Sequence, residues 1–395
     1  MSFIFEALPA RYGDSLFLTF RDPDQTLRML VDAGPSRVYP TSVRPRLEKE
    51  RLNAGELTLD AVMVSHIDED HILGLIDLFS ELQDADQRQQ PRPWKVRWLL
   101  HNSFDALLAE GEGGAARALG GETVLAGLGG GEGLRALLGA EPSHTAELVL
   151  ASYAQGSKLA SLAAALGVTR NPPDGSPIMS ADQTRVLRLG QATLAIVGPR
   201  ESELEDLRKA WRKWREEAKG KPQPTQSLAT TLDESVPNLS SIVALLEHGG
   251  RKVLLTGDAR SDYIYKGLKA AEALDAQGKL QLDILKMPHH GSIRNMTKAF
   301  LKDVTADHYV ASGDGTYGNP DRATLELIET VRPAGGYHVH LTYDAATCDR
   351  IHEEWRRGRK GPAYDAATDG IVPVVDRWKA EGKITVHEGP VKIDF

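Results

Sequence analysis

Cysteine is nearly absent: Cys348 is the single one in 395 residues. An intrachain disulfide and a cysteine-rich zinc module are both excluded, and a lone thiol suits a reducing, cytoplasmic setting. No stretch approaches the roughly 18 uninterrupted apolar residues of a membrane span. The segment from Met1 to Arg11 carries a charge at Glu6 and no basic region before an apolar run, so it does not read as a signal peptide. A basic excess is missing too. Lys plus Arg number 47 against 55 for Asp plus Glu, a formal charge of −8. No global positive surface draws in a polyanion, although a local cleft can oppose the net charge. There is no internal repeat. With 41% hydrophobic and 26% charged residues, composition is ordinary globular usage and excludes disorder, collagen and coiled coil. The length suggests two compact units, or one large unit carrying insertions.

The chain alternates short apolar runs with turns. Strands are expected at Ser2–Leu8, Ser15–Phe20, Leu27–Asp32, Leu59–His66 and Val96–Leu100, with a helix after His66. From Leu107 to Leu166 the character changes. Eleven of the 37 glycines fall between Gly111 and Gly139 among alanines and leucines, which reads as a helical insertion. The Gly127–Gly133 cluster lacks the preceding strand that a nucleotide loop requires. Strands return at Ala192–Val197, at a hairpin from Ser241 to Thr256 that turns on His248-Gly-Gly-Arg251, at Leu280–Met287 and at His308–Ala311. Helices are expected at Glu203–Lys219, Met296–Val304 and Thr324–Val331. Residues 1–106 and 191–336 read as two halves of one sandwich, 107–190 as the insertion and 337–395 as a C-terminal extension.

The strongest chemical signal is Ser65-His66-Ile67-Asp68-Glu69-Asp70-His71, directly after a buried strand. A helix cap accounts for one acid there. It does not account for two histidines bracketing three acids, and that pattern points to metal ligation, with enough donors for two neighbouring ions. Three distant strand ends carry matching residue types: Asp32 after LRMLV, Asp258 after KVLLTG, and His289-His290 after LDILKMP. Polar residues just past buried strands lie where such folds build sites. His101 and His144 are other possible ligands but read first as surface or core histidines, and Trp211 and Trp214 read as rings packing a charged helix onto the body, with base stacking the sharper alternative.

The pattern His66-x-Asp68-x-Asp70-His71 resembles the metal-binding motif of the metallo-β-lactamase fold. More narrowly, the chain resembles the hydrolase domain of ComEC-type DNA-uptake proteins. The resemblance runs in order through Tyr12-Gly-Asp-Ser-Leu16, Leu30-Val-Asp-Ala-Gly34, Ser65 to Gly74, Asn238-Leu-Ser-Ser-Ile242, Leu254-Leu-Thr-Gly-Asp258, Asp283 to Ser292, and Tyr317-Gly-Asn-Pro320. It implies a four-layer αββα sandwich, a metal centre at the sheet edge, and hydrolysis by a metal-activated water. By motif position, His66 and Asp68 would serve one metal and Asp70 and His71 a second. Asp258 would bridge them, and Asp32 would brace the loop. His289 or His290 would be a further ligand or the proton donor, and Lys286 would face the phosphate or the leaving group. Asn238, Ser241 and Asn319 would lie around the centre or touch substrate. Asn238 stands where the fold usually has a third histidine, and Asn319 where the ComEC-type pattern has histidine. The donor set is therefore carboxylate-rich, which favours Mn²⁺ over Zn²⁺ for one or two divalent ions.

The expected function is that of a metal-dependent phosphodiesterase or nuclease acting on DNA or RNA, with Asp70 orienting the water and a histidine protonating the departing oxygen. Arg294, Lys298, Lys302, Arg322 and the Arg356–Lys360 run could line a groove. The alternatives are hydrolysis of a small ester, lactone, thioester or cyclic nucleotide, and a non-catalytic partner-binding module with a degraded site. No membrane association is expected, and the sequence names no protein partner.

Overall fold

The computed structural model describes residues 1–102, 144–181, 183–202, 204–205, 209, 240–359 and 361–395. The expected helix at Glu203–Lys219 falls mostly outside them, as do Asn238, Trp211, Trp214 and the glycine-rich run of the insertion.

Two sheets face each other. The first contains β1 (Ser2–Ala7), β2 (Leu16–Arg21), β3 (Thr26–Val31), β4 (Thr58–Met63), β5 (Lys95–Leu100) and β6 (Thr169–Arg170). The second contains β7 (Val186–Leu189), β8 (Ala192–Gly198), β9 (Val243–His248), β10 (Arg251–Leu255), β11 (Leu280–Lys286), β12 (Val304–Ala311), β13 (Tyr337–Leu341) and β14 (Ile384–Glu388). A last strand, β15 (Val391–Asp394), returns to the first sheet and pairs antiparallel with β1. The orders are β15-β1-β2-β3-β4-β5-β6 and β14-β13-β12-β11-β10-β9-β8-β7. Residues 337–395 thus supply the second sheet's β13 and β14 edge and the first sheet's β15 edge.

Helices cover both outer faces: α1 (Arg44–Ala54), α2 (Glu69–Gln87) and α3 (His144–Ala165) on the first sheet. On the second lie α4 (Ser261–Ala270), α5 (Lys298–Asp303), α6 (Arg322–Val331), α7 (Ala345–Arg356) and α8 (Val372–Glu381). Three apolar layers follow. One, with Leu30, Val62, Leu75 and Phe79, joins the first sheet to its helices. A second, with Leu254, Leu285, Phe300 and Trp378, does the same for the second sheet. Between the sheets lie Phe5, Leu18, Met63, Leu246 and Ile284. Three cores separate four layers, so the αββα sandwich is what the chain adopts. Among the described residues no helix is long and apolar enough to cross a membrane.

Local sequence explains the elements that carry the site. In α2, Ile72, Leu75, Ile76, Phe79 and Leu82 recur at helical spacing and are buried. A Cβ on Gly74 would stand 2.0 Å from the Ala33 carbonyl oxygen, so only glycine lets α2 seat this close to the end of β3. The β9–β10 hairpin turns on Gly249 and Gly250 at φ 57° and 81°, the left-handed pair that a two-residue turn demands. Strands β3, β4 and β5 run parallel, as do β10 to β14. Their C-terminal ends therefore deliver successive loops to one edge of the sandwich, where α/β sheets build sites.

Candidate metal centre

Six loops converge at that edge: the β1–β2 loop with Asp14, Asp32 after β3, Ser65 to His71 after β4, Asp258 after β10, His289 and His290 after β11, and Ser312 after β12. Asp32, His289 and His290 hold left-handed backbones, at φ 56°, 49° and 58°. Such conformations cost of order 1–3 kcal/mol each and persist where surrounding contacts fix them.

The hydrogen bonds assign the imidazole protons. Asp32 accepts from the Ser65 amide at 2.7 Å and the Ser65 hydroxyl at 2.6 Å. It also accepts from Nδ1 of His71 at 2.9 Å. With the Ser65 proton committed to Asp32, its oxygen accepts from Nδ1 of His66 at 3.1 Å. Nδ1 of His290 donates to Asp14 at 3.1 Å. Three rings therefore have Nδ1 anchored from behind, which turns each Nε2 toward the centre. Those nitrogens face the same carboxylates. Asp258 lies 3.4 Å from Nε2 of His71, 3.7 Å from that of His66, 3.7 Å from that of His290 and 3.6 Å from that of His289. Asp70 is 3.3 Å from Nε2 of His290 and 3.7 Å from that of His71. Asp68 is 3.6 Å from Nε2 of His66.

A divalent cation fits this arrangement. Nε2 of His66, Nε2 of His71 and Oδ1 of Asp258 are buried with no hydrogen-bond partner, an arrangement costly for polar atoms unless something else satisfies them. Donor atoms of Asp14, His71, Asp258 and His290 lie within 4.8 Å of one another, as do those of His66, Asp70 and His71. Mixed imidazole and carboxylate donors suit Zn²⁺ or Mn²⁺. Nδ1 protons held by carboxylate or hydroxyl are the usual support behind metal-binding histidines.

The electrostatics are those of crowded acids. Burial, then Asp70 and Asp258, pushes the Asp68 carboxyl up to about 8. Burial and the neighbouring His71 drop His66 to about 3. Burial works against charge on His290, yet Asp258 and Asp14 overcome it and raise the ring to about 9. Burial opposes charge on His71 as well, and Asp258, Asp70 and Asp32 raise it well above its ordinary value.

His66, Asp68, Asp70, His71, Asp258, His289 and His290 are thus brought together, with Asp32 behind them. Asp68 starts α2 but makes no side-chain cap; the Ser152 hydroxyl of α3 bonds it instead. The Ser241 hydroxyl accepts from the Asp258 amide at 3.3 Å. Lys286 is buried, its ammonium 2.7 Å from Asp14 and donating to the Met287 carbonyl at 3.0 Å. Among the described residues no hydrogen bond or ion pair joins the Asn319 side chain to the centre. His101 is buried away from the cluster, with Nε2 3.0 Å from the Gly156 carbonyl. Arg322 is committed to Glu326 and Arg356 to Asp369. Asp14 is the participant that pattern reading passed over. Its signal is a lone acid in Gly13-Asp14-Ser15, just before a wholly apolar strand start. Asn295 also went unnoticed; it bonds His289 and the Asp258 carbonyl oxygen.

A family model described as Metallo-beta-lactamase superfamily matches residues 10–150, a span that includes Asp14, Asp32 and the whole His66–His71 loop. The architecture is that of the metallo-β-lactamase sandwich, and residues 10–150 are similar to that superfamily's model. No curated protein matches it. Among solved structures, a diphosphatase from the PhnP family aligns at 12% identity and a TM-score of 0.34, covering 100% of this chain and 98% of that one. A metallo-beta-lactamase family protein from Thermus thermophilus aligns at 12% identity and a TM-score of 0.27, covering 70% of each chain. At these TM-scores neither structure bears on the activity of this chain.

Proposed function

We propose that the protein is a divalent-metal-dependent phosphodiesterase whose substrate is a nucleic acid or a nucleotide. The observation that carries the metal part is the convergence of the partnerless Nε2 atoms of His66 and His71 on the Asp258 carboxylate, with Asp32, Ser65 and Asp14 holding the rings from behind. His66, His71, His290 and Asp258, with Asp68 and Asp70, would hold one or two ions, Mn²⁺ or Zn²⁺. A cation held there supplies Lewis acidity, making water a nucleophile near neutral pH and polarising a phosphoryl oxygen.

The chain's own groups do the rest. Asp70, partly open to solvent, orients the attacking water and accepts its proton. His289 is the more open of the paired histidines, with 36% of its side chain exposed against 3% for His290, so it is assigned the proton for the departing oxygen. Lys286 acts on the centre through Asp14, whose place beside His290 it fixes.

For the substrate, the motif resemblance to ComEC-type domains is supported by the rim. Tyr12 meets Tyr317 edge-on at 5.6 Å, and Tyr317 meets Trp355 edge-on at 5.4 Å. The Arg11 guanidinium lies 5.1 Å from the Tyr12 ring and that of Arg359 lies 4.5 Å from Trp355. Tyr12 hydrogen-bonds Glu69 of the metal loop at 3.3 Å. Burial and then the charges of Asp70 and Glu69 raise the Tyr317 phenol, so this ladder borders the centre. Aromatic faces with guanidinium neighbours are what bases and phosphates require.

The test is turnover by wild type and Asp258→Ala with Mn²⁺, Zn²⁺ or Mg²⁺ on single-stranded DNA, duplex DNA, RNA, a chromogenic phosphodiester, a lactone and a thioester. Phosphodiester cleavage lost in the variant, with thermal stability retained, is expected. Cleavage of the lactone or thioester alone would move the assignment to a small-ester hydrolase. No metal-dependent turnover of any substrate would remove it.

A further inference from the structure

Asn295 ties together the two loops that carry Asp258 and His289, and its amide can lie only one way. It is buried, 4% exposed, at the end of the single helical turn Ile293–Asn295 that follows β11. Nδ2 donates to the Asp258 carbonyl oxygen at 2.7 Å. A carbonyl accepts and never donates, so the nitrogen end of the amide is fixed there. Oδ1 then faces Nδ1 of His289 at 2.9 Å, and an amide oxygen only accepts. Nδ1 of His289 therefore carries a proton. Nε2 is the nitrogen turned to the centre, 3.6 Å from the Asp258 carboxylate.

Neighbouring bonds make this a rigid seam. The His289 amide donates to the Gly257 carbonyl at 3.1 Å, the Ser292 amide to the His289 carbonyl at 2.9 Å and the Asn295 amide to the Ser292 carbonyl at 3.2 Å. Farther along, the Ser261 hydroxyl donates to that of Thr297 at 3.2 Å. Two consecutive carbonyls after β10, those of Gly257 and Asp258, are thus taken by His289 and Asn295. A left-handed backbone such as that of His289, at φ 49°, persists where contacts of this kind fix it. The group behind His289 also differs in kind from those behind its neighbours. Asp32 stands behind His71 and Asp14 behind His290, and a carboxylate can take up a ring's proton. An amide does not, so proton exchange by His289 is confined to Nε2.

We propose that Asn295 is the positioning residue for the proton-donating step, holding His289 against Asp258 with Nε2 toward the departing oxygen. The inference rests on the hydrolase reading above, in which His289 supplies that proton. In the step the Nε2–H bond breaks, its electron pair stays on the ring, and the proton bonds to the oxygen leaving phosphorus. The ring that remains is the Nδ1–H tautomer, the form that the Asn295 oxygen already binds. No reorientation of ring or amide intervenes, and such preorganisation is what positioned groups contribute to a reaction.

Two readouts test it. Nitrogen-15 spectra of the full chain with labelled imidazoles, at about pH 8.5 and so above the ordinary imidazole range, should show His289 protonated at Nδ1. Loss of its signals in His289→Gln assigns them, and Asn295→Leu should admit the Nε2–H tautomer. On single-stranded DNA or a dinucleotide, Asn295→Leu should lower kcat by about 10–100-fold with KM little changed, the usual cost of removing the partner behind a functional imidazole. The loss should shrink on a nitrophenyl phosphodiester, whose leaving oxygen needs little protonation. Adding Asn295→Leu to His289→Gln should cost little more, because the amide acts through the ring. An unprotonated Nδ1 in the wild type would overturn the proposal. So would an Asn295→Leu loss that is equal for both leaving groups and additive with His289→Gln. The wild-type spectrum decides even where Asn295→Leu does not fold, and it needs no substrate. Protonated Nδ1 in a chain that cleaves no phosphodiester would leave the placement of His289 standing while the phosphodiesterase reading falls.

Discussion

The ammonium of Lys286 is buried against the carboxylate of Asp14, 2.7 Å away, and the same carboxylate bonds Nδ1 of His290. Ser312 completes the set through a hydroxyl hydrogen bond to Asp14. Burial works against the charge on Asp14, and Lys286 and His290 outweigh it, holding the carboxyl far below the usual range. Removing one partner of such a pair leaves an uncompensated buried charge, which costs about 3–5 kcal/mol. Lys286→Met should therefore lower unfolding free energy by that amount in a denaturant titration of metal-free protein. The double variant Lys286→Met, Asp14→Asn should regain part of it. A loss under about 1 kcal/mol, the scale of an exposed pair, would show that the pair is not buried in solution.

Asp32 accepts three hydrogen bonds from the metal loop and touches no candidate ligand atom that faces the centre. Substituting such a supporting group usually costs about 10–100-fold in metal affinity. Asp32→Asn should lose this much in a competition titration with a chelator, because the amide offers a donor where Nδ1 of His71 also donates. Metal-free stability should change less than in the Lys286 variant. Unaltered affinity would mean that His71 is positioned by something other than Asp32.

Proton release follows from the same electrostatics. In the metal-free protein at pH 7, His290 with its value near 9 is protonated, and so is Asp68 with its value near 8. Ligation needs both deprotonated. Apparent metal affinity should then rise by up to tenfold per pH unit for each proton displaced, from pH 6 to 8. Calorimetry in buffers of different ionisation enthalpy counts those protons directly. The stability of the metal-free chain runs the other way at high pH: the raised His290 contributes below its unfolded value, and that contribution disappears as pH climbs past about 9. The depressed Asp14 contributes above about pH 4 and loses its contribution on acidification.

The metal centre was legible because its donors are local. His66, Asp68, Asp70 and His71 occupy one turn after a strand whose burial is written in its apolar run. Asp258 and His289-His290 end two further runs of the same kind. Asp14 was not, since its partners Lys286, His290 and Ser312 lie more than 270 positions away and only the two-sheet closure brings them near. For the same reason Lys286 read as a cation facing substrate, whereas its ammonium is turned to Asp14. The strand pattern of the sandwich was readable from alternation and turns, including the Gly249–Gly250 hairpin. The return of β15 to pair with β1 was not, because short edge strands such as Val391–Asp394 carry too few apolar positions to declare which sheet they join.

Tyr317 tests the substrate assignment. Its backbone is left-handed at φ 65° and the residue is 53% exposed, unusual for a large aromatic ring held between Tyr12 and Trp355. A strained, exposed ring beside a metal loop is retained at a conformational cost, and base stacking offsets that cost at about 1–3 kcal/mol per base. Tyr317→Ala should raise KM for single-stranded DNA or RNA by roughly 5- to 150-fold at 25 °C, from that stacking energy. Its kcat, and its rate on a small chromogenic phosphodiester, should stay near wild type because no group that reacts has been removed. Tyr317→Phe should restore KM, since stacking needs the ring and not the hydroxyl. If both substitutions depress kcat equally on every substrate, the ring supports the metal loop through Glu69 and Asp70 and the base-binding role fails.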